Sequence, residues 1–472
     1  MPLLRRTSPL SKRVGKVISV RREEQQQMIS EATKTQGSYQ DAFRKLQGHG
    51  VSWLERLRES AMDRFEQLGF PSVEHEEWKY TNVTQIARTA FVPIAANGLS
   101  SAAIDGPELA AFTYPEARAS QLVFVDGILR AELSSLSGLP AGIAALDFAA
   151  ALASEPYAEL MRTYLGRIVD YGDNGLTALN TSFVSSGALV VIPKGLTSET
   201  PLHLLFLCSS NGANVAAFPR VLIIGEENSS ATIIESYDST GNDAYFTNAV
   251  VEILLKDGAR LEHYRVQDES SEAFHIASTR ADLGRDSTFE TTSINLGAKL
   301  SRHDLSVVMD HEGAECRVDG LYIIGEGQHT DTHSVIDHKQ PHCTSHQLYK
   351  GILDGKSRAV FNGKVFVRHG AMGTDANQTN KNLLLSNEAH VDTKPQLEIF
   401  ADDVKCAHGA AIGQLDEDEL FYLESRGIHS DLARNLLTYG FAEEVIVRIK
   451  IESIKTKLDE AVLNRLHARL EA

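Results

Sequence analysis

The chain has 472 residues, 42% of them hydrophobic, and a formal charge of −17 at pH 7. That length supports two or three domains with a large core, while the acidity opposes a nucleic-acid surface, because a phosphate backbone would be repelled. No apolar run approaches the roughly 18 residues needed to span a bilayer, so neither nucleic acid nor membrane is an expected partner.

The basic N-terminal segment, residues 1–37, stands apart. Its first 22 residues carry seven basic side chains and no acid. That composition suits an organelle transit peptide, but the plainer readings, an overcalled start with Met28 as the true initiator or a disordered tail, are preferred. The expected location is the cytoplasm, with a plastid as the alternative if residues 1–27 are a transit peptide.

Residues 38–165 read as a helical and mixed N-terminal domain. From Ser38 to Leu68 apolar residues recur at helical spacing (Phe43, Leu46, Trp53, Leu54, Leu57, Ala61, Phe65, Leu68), and Gly69 with Pro71 supplies a stop. Further on, LVFVDGILRAEL predicts a hairpin turning at Asp126-Gly127.

Residues 166–412 form the next region, and from about 176 helix periodicity disappears. VLIIGEENSSATIIESY, VEILLKDGARLEHYRV, RADLGRDSTFETTSI and LSVVMDHEGAECRVDGLYII share one form: strand, polar turn, small residue, strand. Anchoring on the small residue gives Ala231, Ala259, Ser287, Ala314 and Ser357, with a step of about 28 and a last step of three half-repeats. Such self-similarity marks a solenoid, and strands this short predict a mainly β protein built on a parallel β-helix. A large antiparallel sandwich is the competing fold.

Residues 413–472 read as a C-terminal helical domain. Acids crowd the first turn after Leu415, Gly427 suits a C-cap and Ser430 an N-cap. Leu458, Val462, Leu466 and Leu470 then recur every fourth position, a stripe that packs on the solenoid end or offers a face to a partner.

Five histidines and a cysteine crowd HTDTHSVIDHKQPHCTSH, residues 329–346. On extended backbone His329 and His333 share a face, and His338, His342 and His346 form a second set on the next strand. Ligands at i and i+4 then lie roughly 13 Å apart, unsuited to a tetrahedral metal. The stretch reads as polar surface or rung-stacking histidines, unless neighbouring rungs bring the rings together. YKGILDGKS is one residue short of the G-x4-G-K-S loop that wraps a triphosphate, so Asp354-Gly355 reads as a turn. Asp402-Asp403 and the run Asp416 to Glu419 lack the facing geometry of glycosidase carboxylates.

KCAHGA differs. Cys406 and His408 stand two apart, so an extended backbone sends both side chains from one face. That pair is a soft two-ligand clamp, or a thiol whose pKa its neighbour lowers, or two structural residues. Two ligands do not complete a metal site, so a second chain would supply the rest. The other cysteines, Cys208, Cys316 and Cys343, add no CxxC pair, which excludes a zinc ribbon, a self-contained iron–sulfur cluster and a disulfide framework and points to a reducing compartment.

Residues 362–428, NGKVFVRHGAMGTDANQTNKNLLLSNEAHVDTKPQLEIFADDVKCAHGAAIGQLDEDELFYLESRGI, resemble the SufB/SufD family of iron–sulfur cluster assembly proteins. RAVFNG at 358–363, GALVVIPKG at 187–195 followed by ETPLHLLF, and GFP with EEWKYT at 69–81 extend the likeness over about residues 40–450. The resemblance implies a right-handed parallel β-helix flanked by N-terminal and C-terminal helical domains. It further implies a non-enzymatic scaffold that pairs with a SufB-like paralogue through the β-helix ends and docks a SufC-like ABC ATPase on its C-terminal helices. Cys406 and His408 would lie at the paralogue interface, the histidine taking part in assembly of a transient cluster. No intrinsic cofactor is implied; ATP belongs to the partner ATPase and flavin to the assembled complex. SufB-like chains carry E-H-E-A here and further cysteines, whereas this chain has A-H-G-A with Gly409, which places it on the SufD side. A purely structural adaptor and a β-helix polysaccharide-active enzyme are the rival readings.

Overall fold

The computed structural model describes residues 35–467, apart from residue 49, residues 95–103, residue 105 and residues 210–213. All but the last three residues of the basic 1–37 segment lie outside them.

From Arg220 to Gly413 the chain is a run of strands six to ten residues long that fall alternately into two sheets. Every neighbour in this run pairs in parallel with the strand two places away, without a shift in register. The result is a parallel β-solenoid of about eight turns, mainly β, with helices at both ends of the chain. All-parallel ladders exclude the antiparallel sandwich.

Alternation along each strand sends every second side chain inward. Because register is kept, these residues stack in columns: Ile223, Ile253, Ala281, Val307, Ile336, Val365 and Leu397 lie in register through the first sheet. Each fully buried aliphatic side chain contributes about 1.5–3 kcal/mol, and no single turn could bury its own column. Mid-solenoid, the interior turns polar. His263 Nε2 lies 3.1 Å from Glu235, and Arg265 Nη2 donates to His275 Nε2 at 2.6 Å.

The repeat anchors resolve into a corner column. Ser229, Ala259, Ser287, Ala314, Cys343 and Thr374 each directly precede a strand of the second sheet, and all are buried. Ala231 is misplaced as an anchor: Arg260 pairs with Ser230, so Ser229 is the counterpart of Ala259. Ala231 instead lies inside the strand, where its small side chain looks the same in sequence. Ser357 precedes a strand of the other sheet, which is why its step came out as an odd number of half-turns.

The chain before the solenoid is woven into it. Residues 35–46 and Ser52–Leu68 are helical, and the second helix ends where Gly69, at φ +64°, donates its N–H to Phe65. Gln121–Val125 and Ile128–Leu129 form the expected hairpin, Asp126 and Gly127 both having positive φ, and the first of these strands joins the second sheet beside Leu202–Cys208. Gly175–Ser182 corrects the sequence reading, because it is an α-helix inside a region read as free of helices. Asn174 caps it, accepting from the Leu176 and Thr177 N–H groups. The helix is buried all round, so it carries no amphipathic period to detect. A Cβ on Gly175 would sit 2.1 Å from the Gly69 carbonyl, so only glycine allows this packing.

The C-terminal helices Glu417–Ser425, Ser430–Ile446 and Glu452–His467 follow the last strand. Gly427 has positive φ as expected, but His429 rather than Ser430 is the N-cap of the second helix, and no side chain bonds there. Leu458 and Val462 are buried with Ala442, Val445 and Ile446 against Ile234, Tyr264 and Ile294, the outer face of the second sheet. The stripe therefore packs on the solenoid's flank, not its end: the outward-facing aliphatic residues of that sheet supply the wider apolar surface. The side chain of Leu466, and Leu470, lie outside the described residues. No described helix is long and apolar enough to cross a membrane.

Candidate functional site

The two sheets end in His390–Ile399 and Lys405–Gly413, each paired on one edge only. At their other ends, short antiparallel strands close the order, Ala144–Asp147 in one sheet and Ile128–Leu129 in the other. The last turn thus leaves open backbone edges and interior-facing side chains with no further strand above them among the described residues. Ile399, Phe400 and Ile412 are between 41% and 49% exposed there. Large apolar side chains beside unpaired strand edges form a template for another β chain.

Cys406 and His408 belong to this last turn. Cys406 lies in register with Ala376 and His408 with Gln378, both interior residues of the strand below. The shared face inferred from spacing is therefore the solenoid's inner face, seen at its open end. Cys406 is half-buried and packs against the main core, whereas His408 is exposed. Their Cα atoms are about 7 Å apart along the strand, so both can reach one metal cluster without meeting each other. Burial, with the Asp375 carboxylate next, pushes the Cys406 thiol above its ordinary pKa. The His408 ring is not among the causes of that shift. Among the described residues no group of three or more His, Cys, Asp or Glu side chains is arranged to hold a metal ion.

The His-rich stretch is built differently. His329, His333 and His338 share the strand His329–His338, His342 sits in the following turn with φ +59°, and His346 stands exposed on the next strand. The expected second set of three on one strand does not form, because the turn at Pro341-His342 interrupts the extended backbone. His329 and His333 face outward onto the EEWKYT segment. There Trp78 covers the Arg302 guanidinium at 3.8 Å, Arg302 donates to Asp331 and to the Glu77 carbonyl, and Thr81 donates to Asp331. His333 lies 3.1 Å from Asp331 and 3.4 Å from Glu77. Burial opposes its charge, but these carboxylates win and raise it to about 9. His338 faces inward, bonded to Ser345 at 2.8 Å, and burial holds it down at about 4.

The remaining candidates have structural uses. Gly355, at φ +56°, makes the turn read from Asp354-Gly355. Asp403 occupies a turn with φ +55°, and Asp416 caps the helix Glu417–Ser425 by accepting from Asp418 and Glu419 N–H groups. Two features escaped the sequence reading. One is Gln378, buried directly beneath His408; its signal was the repeat register, which required correct corner residues. The other is an exposed apolar set on the C-terminal helices, Phe421, Tyr422, Leu432 and Leu436, signalled by adjacent aromatics in an otherwise charged helix.

Comparison with known proteins agrees with this geometry. Residues 207–441 match the family model described as SUF system FeS cluster assembly, SufBD core domain, and residues 30–204 match the SufBD protein N-terminal region. An iron–sulfur cluster assembly SufBD family protein of Synechocystis is 38% identical over 87% of this chain and 91% of its own. The iron–sulfur cluster assembly protein SufD of Escherichia coli is 33% identical over 87% and 92%. A chloroplastic protein of Arabidopsis thaliana is 30% identical over 85% and 84%. The chain belongs to the SufBD family of SUF-system iron–sulfur cluster assembly proteins.

Proposed function

We propose that this chain is a SufD-like scaffold subunit, not an enzyme, that presents Cys406 and His408 to a SufB-like paralogue during assembly of a nascent iron–sulfur cluster. One observation carries the reading: both residues face inward on the final turn, where the interior columns of this solenoid end on strands paired on one edge only, with large apolar side chains exposed beside them. A partner β-helix stacked on that turn would cover Ile399, Phe400 and Ile412 and bring its own ligands to the same point. Cluster irons need more ligands than one thiol and one imidazole supply, so the partner is a chemical requirement. The cluster is cargo here, held in transit.

The C-terminal helices supply the second docking surface, for a SufC-like ABC ATPase. Phe421, Tyr422, Leu432 and Leu436 are exposed on them, while Lys350–Glu444 at 2.6 Å and Arg448–Asp319 at 3.1 Å tie the helices to the second sheet. ATP stays on that partner, and flavin, where present, belongs to the assembled complex. Movement of the ATPase would reach the solenoid through these ties, provided that its contacts differ between nucleotide states. The site of action is the cytoplasm; a plastid location requires residues 1–27 to serve as a transit peptide.

The test is His408→Ala in a cell lacking other assembly routes, with tagged co-purification alongside. The variant is expected to recover both partners in normal ratio yet fail to mature clusters. Normal maturation would leave a purely structural adaptor, and a chain that purifies alone when the partners are co-expressed would remove the scaffold reading.

A further inference from the structure

Beneath His408 runs a ladder of buried amides. Gln378 Nε2 donates to Gln347 Oε1 at 2.7 Å, and Gln347 Nε2 donates to Ser334 Oγ at 2.7 Å. Both glutamines are almost wholly buried. Gln378 donates down the stack, away from the open end, while Gln347 offers it a carbonyl from below and donates across the interior to Ser334 on the facing sheet. At the top this leaves Gln378 Oε1 buried with no hydrogen-bond partner. An unmade hydrogen bond to such an acceptor costs about 1–3 kcal/mol, so the arrangement needs a donor from the strand above.

The residue in register above Gln378 is His408, one strand spacing away, about 4.8 Å between backbones. The local packing is built around this amide. A Cβ on Gly363 would lie 2.3 Å from Gln378 Nε2, so the glycine of the RAVFNG motif is what admits the side chain.

We infer that Gln378 is a positioning residue for His408: the exposed ring makes no bond to Gln378 Oε1 in this structure, and a rotation that brings one ring N–H onto that acceptor leaves the lone pair of the other ring nitrogen directed out of the open end. A neutral imidazole has one donor and one acceptor nitrogen, and the partner of the first decides the direction of the second. This is the role outer hydrogen-bond partners play for metal-ligating histidines, and their loss commonly costs 10–100-fold in affinity or activity. The inference rests on the assigned role of His408, and it explains why that ring would be held as one tautomer before any partner arrives.

The experiment uses the full chain labelled with ¹⁵N-histidine, the His408 signals being identified by their loss in His408→Ala. Long-range ¹H–¹⁵N spectra report the tautomer directly. Wild type is expected to show one fixed neutral tautomer; a pair of ring nitrogens averaged between both forms would overturn the inference without any variant. Gln378→Leu should give that averaged pattern and lower cluster formation by the reconstituted complex about tenfold. A fixed tautomer that persists in folded Gln378→Leu would also refute it. A failed His408→Ala phenotype removes the functional reading but leaves the tautomer result standing, so the two failures are distinguishable.

Discussion

In the strand His329–His338, three histidines are held by named neighbours: His329 by Thr81, His333 by Asp331 and Glu77, His338 by Ser345. In the strand Lys405–Gly413, a single histidine stands exposed beside a half-buried cysteine, flanked by alanines and glycines. The first strand has both edges paired inside its sheet and its outer face covered by the N-terminal segment; the second pairs on one edge only among the described residues. Density of ligand-type residues therefore misleads. In mid-solenoid such side chains must find partners, because a buried polar group without one is costly. At the open end they are free to serve another molecule.

This contrast can be broken most directly at Asp331. Replacing it with alanine leaves Arg302 and His333 buried and under-compensated, and removing one partner of such a network costs about 3–5 kcal/mol. An unfolding free energy in urea lowered by that amount is expected for Asp331→Ala. A midpoint unchanged from wild type would show that the His-rich strand is not the structural clamp described here.

A pH titration of stability sharpens the comparison next. His333 is raised to about 9 in the folded chain, against about 6.5 when unfolded. A folded-state pKa above the unfolded value means the stabilisation is fully present below about pH 6.5 and is lost as pH rises through about 9. Stability measured from pH 6 to 10 should fall over that window, and the fall should be absent in His333→Ala. An identical slope in that variant would assign the effect elsewhere. The smallest effect belongs to the other strand: His408→Ala should change the unfolding free energy by no more than about 0.5 kcal/mol, whereas the proposed function expects its larger consequence in cluster assembly. A drop comparable to that of Asp331→Ala would place His408 among the structural histidines.

Much of this protein was legible in one dimension. The step of about 28 residues, the hairpin at Asp126-Gly127, the Gly69 stop and the acid-capped C-terminal helix all follow from local rules, because turns, caps and inward alternation are set by nearby residues. Cys406 and His408 were likewise readable as a same-face pair. The helix Gly175–Ser182 was not, since burial on all sides erases the amphipathic signal. Nor was the single strand that carries His329, His333 and His338, because a register error of a few residues moves a strand boundary without altering composition.

What the sequence by itself determined was the repeat, the fold class and the chemical type of the candidate pair. Only the tertiary structure decided which residues the pair stands above, that its thiol is raised and not lowered, and that the C-terminal helices lie along the flank. Those outcomes depend on residues 26 to 32 positions away in the chain becoming neighbours one strand apart. The stacking of Gln378 under His408 exists only once the coil has closed, because register couples positions that no local window contains.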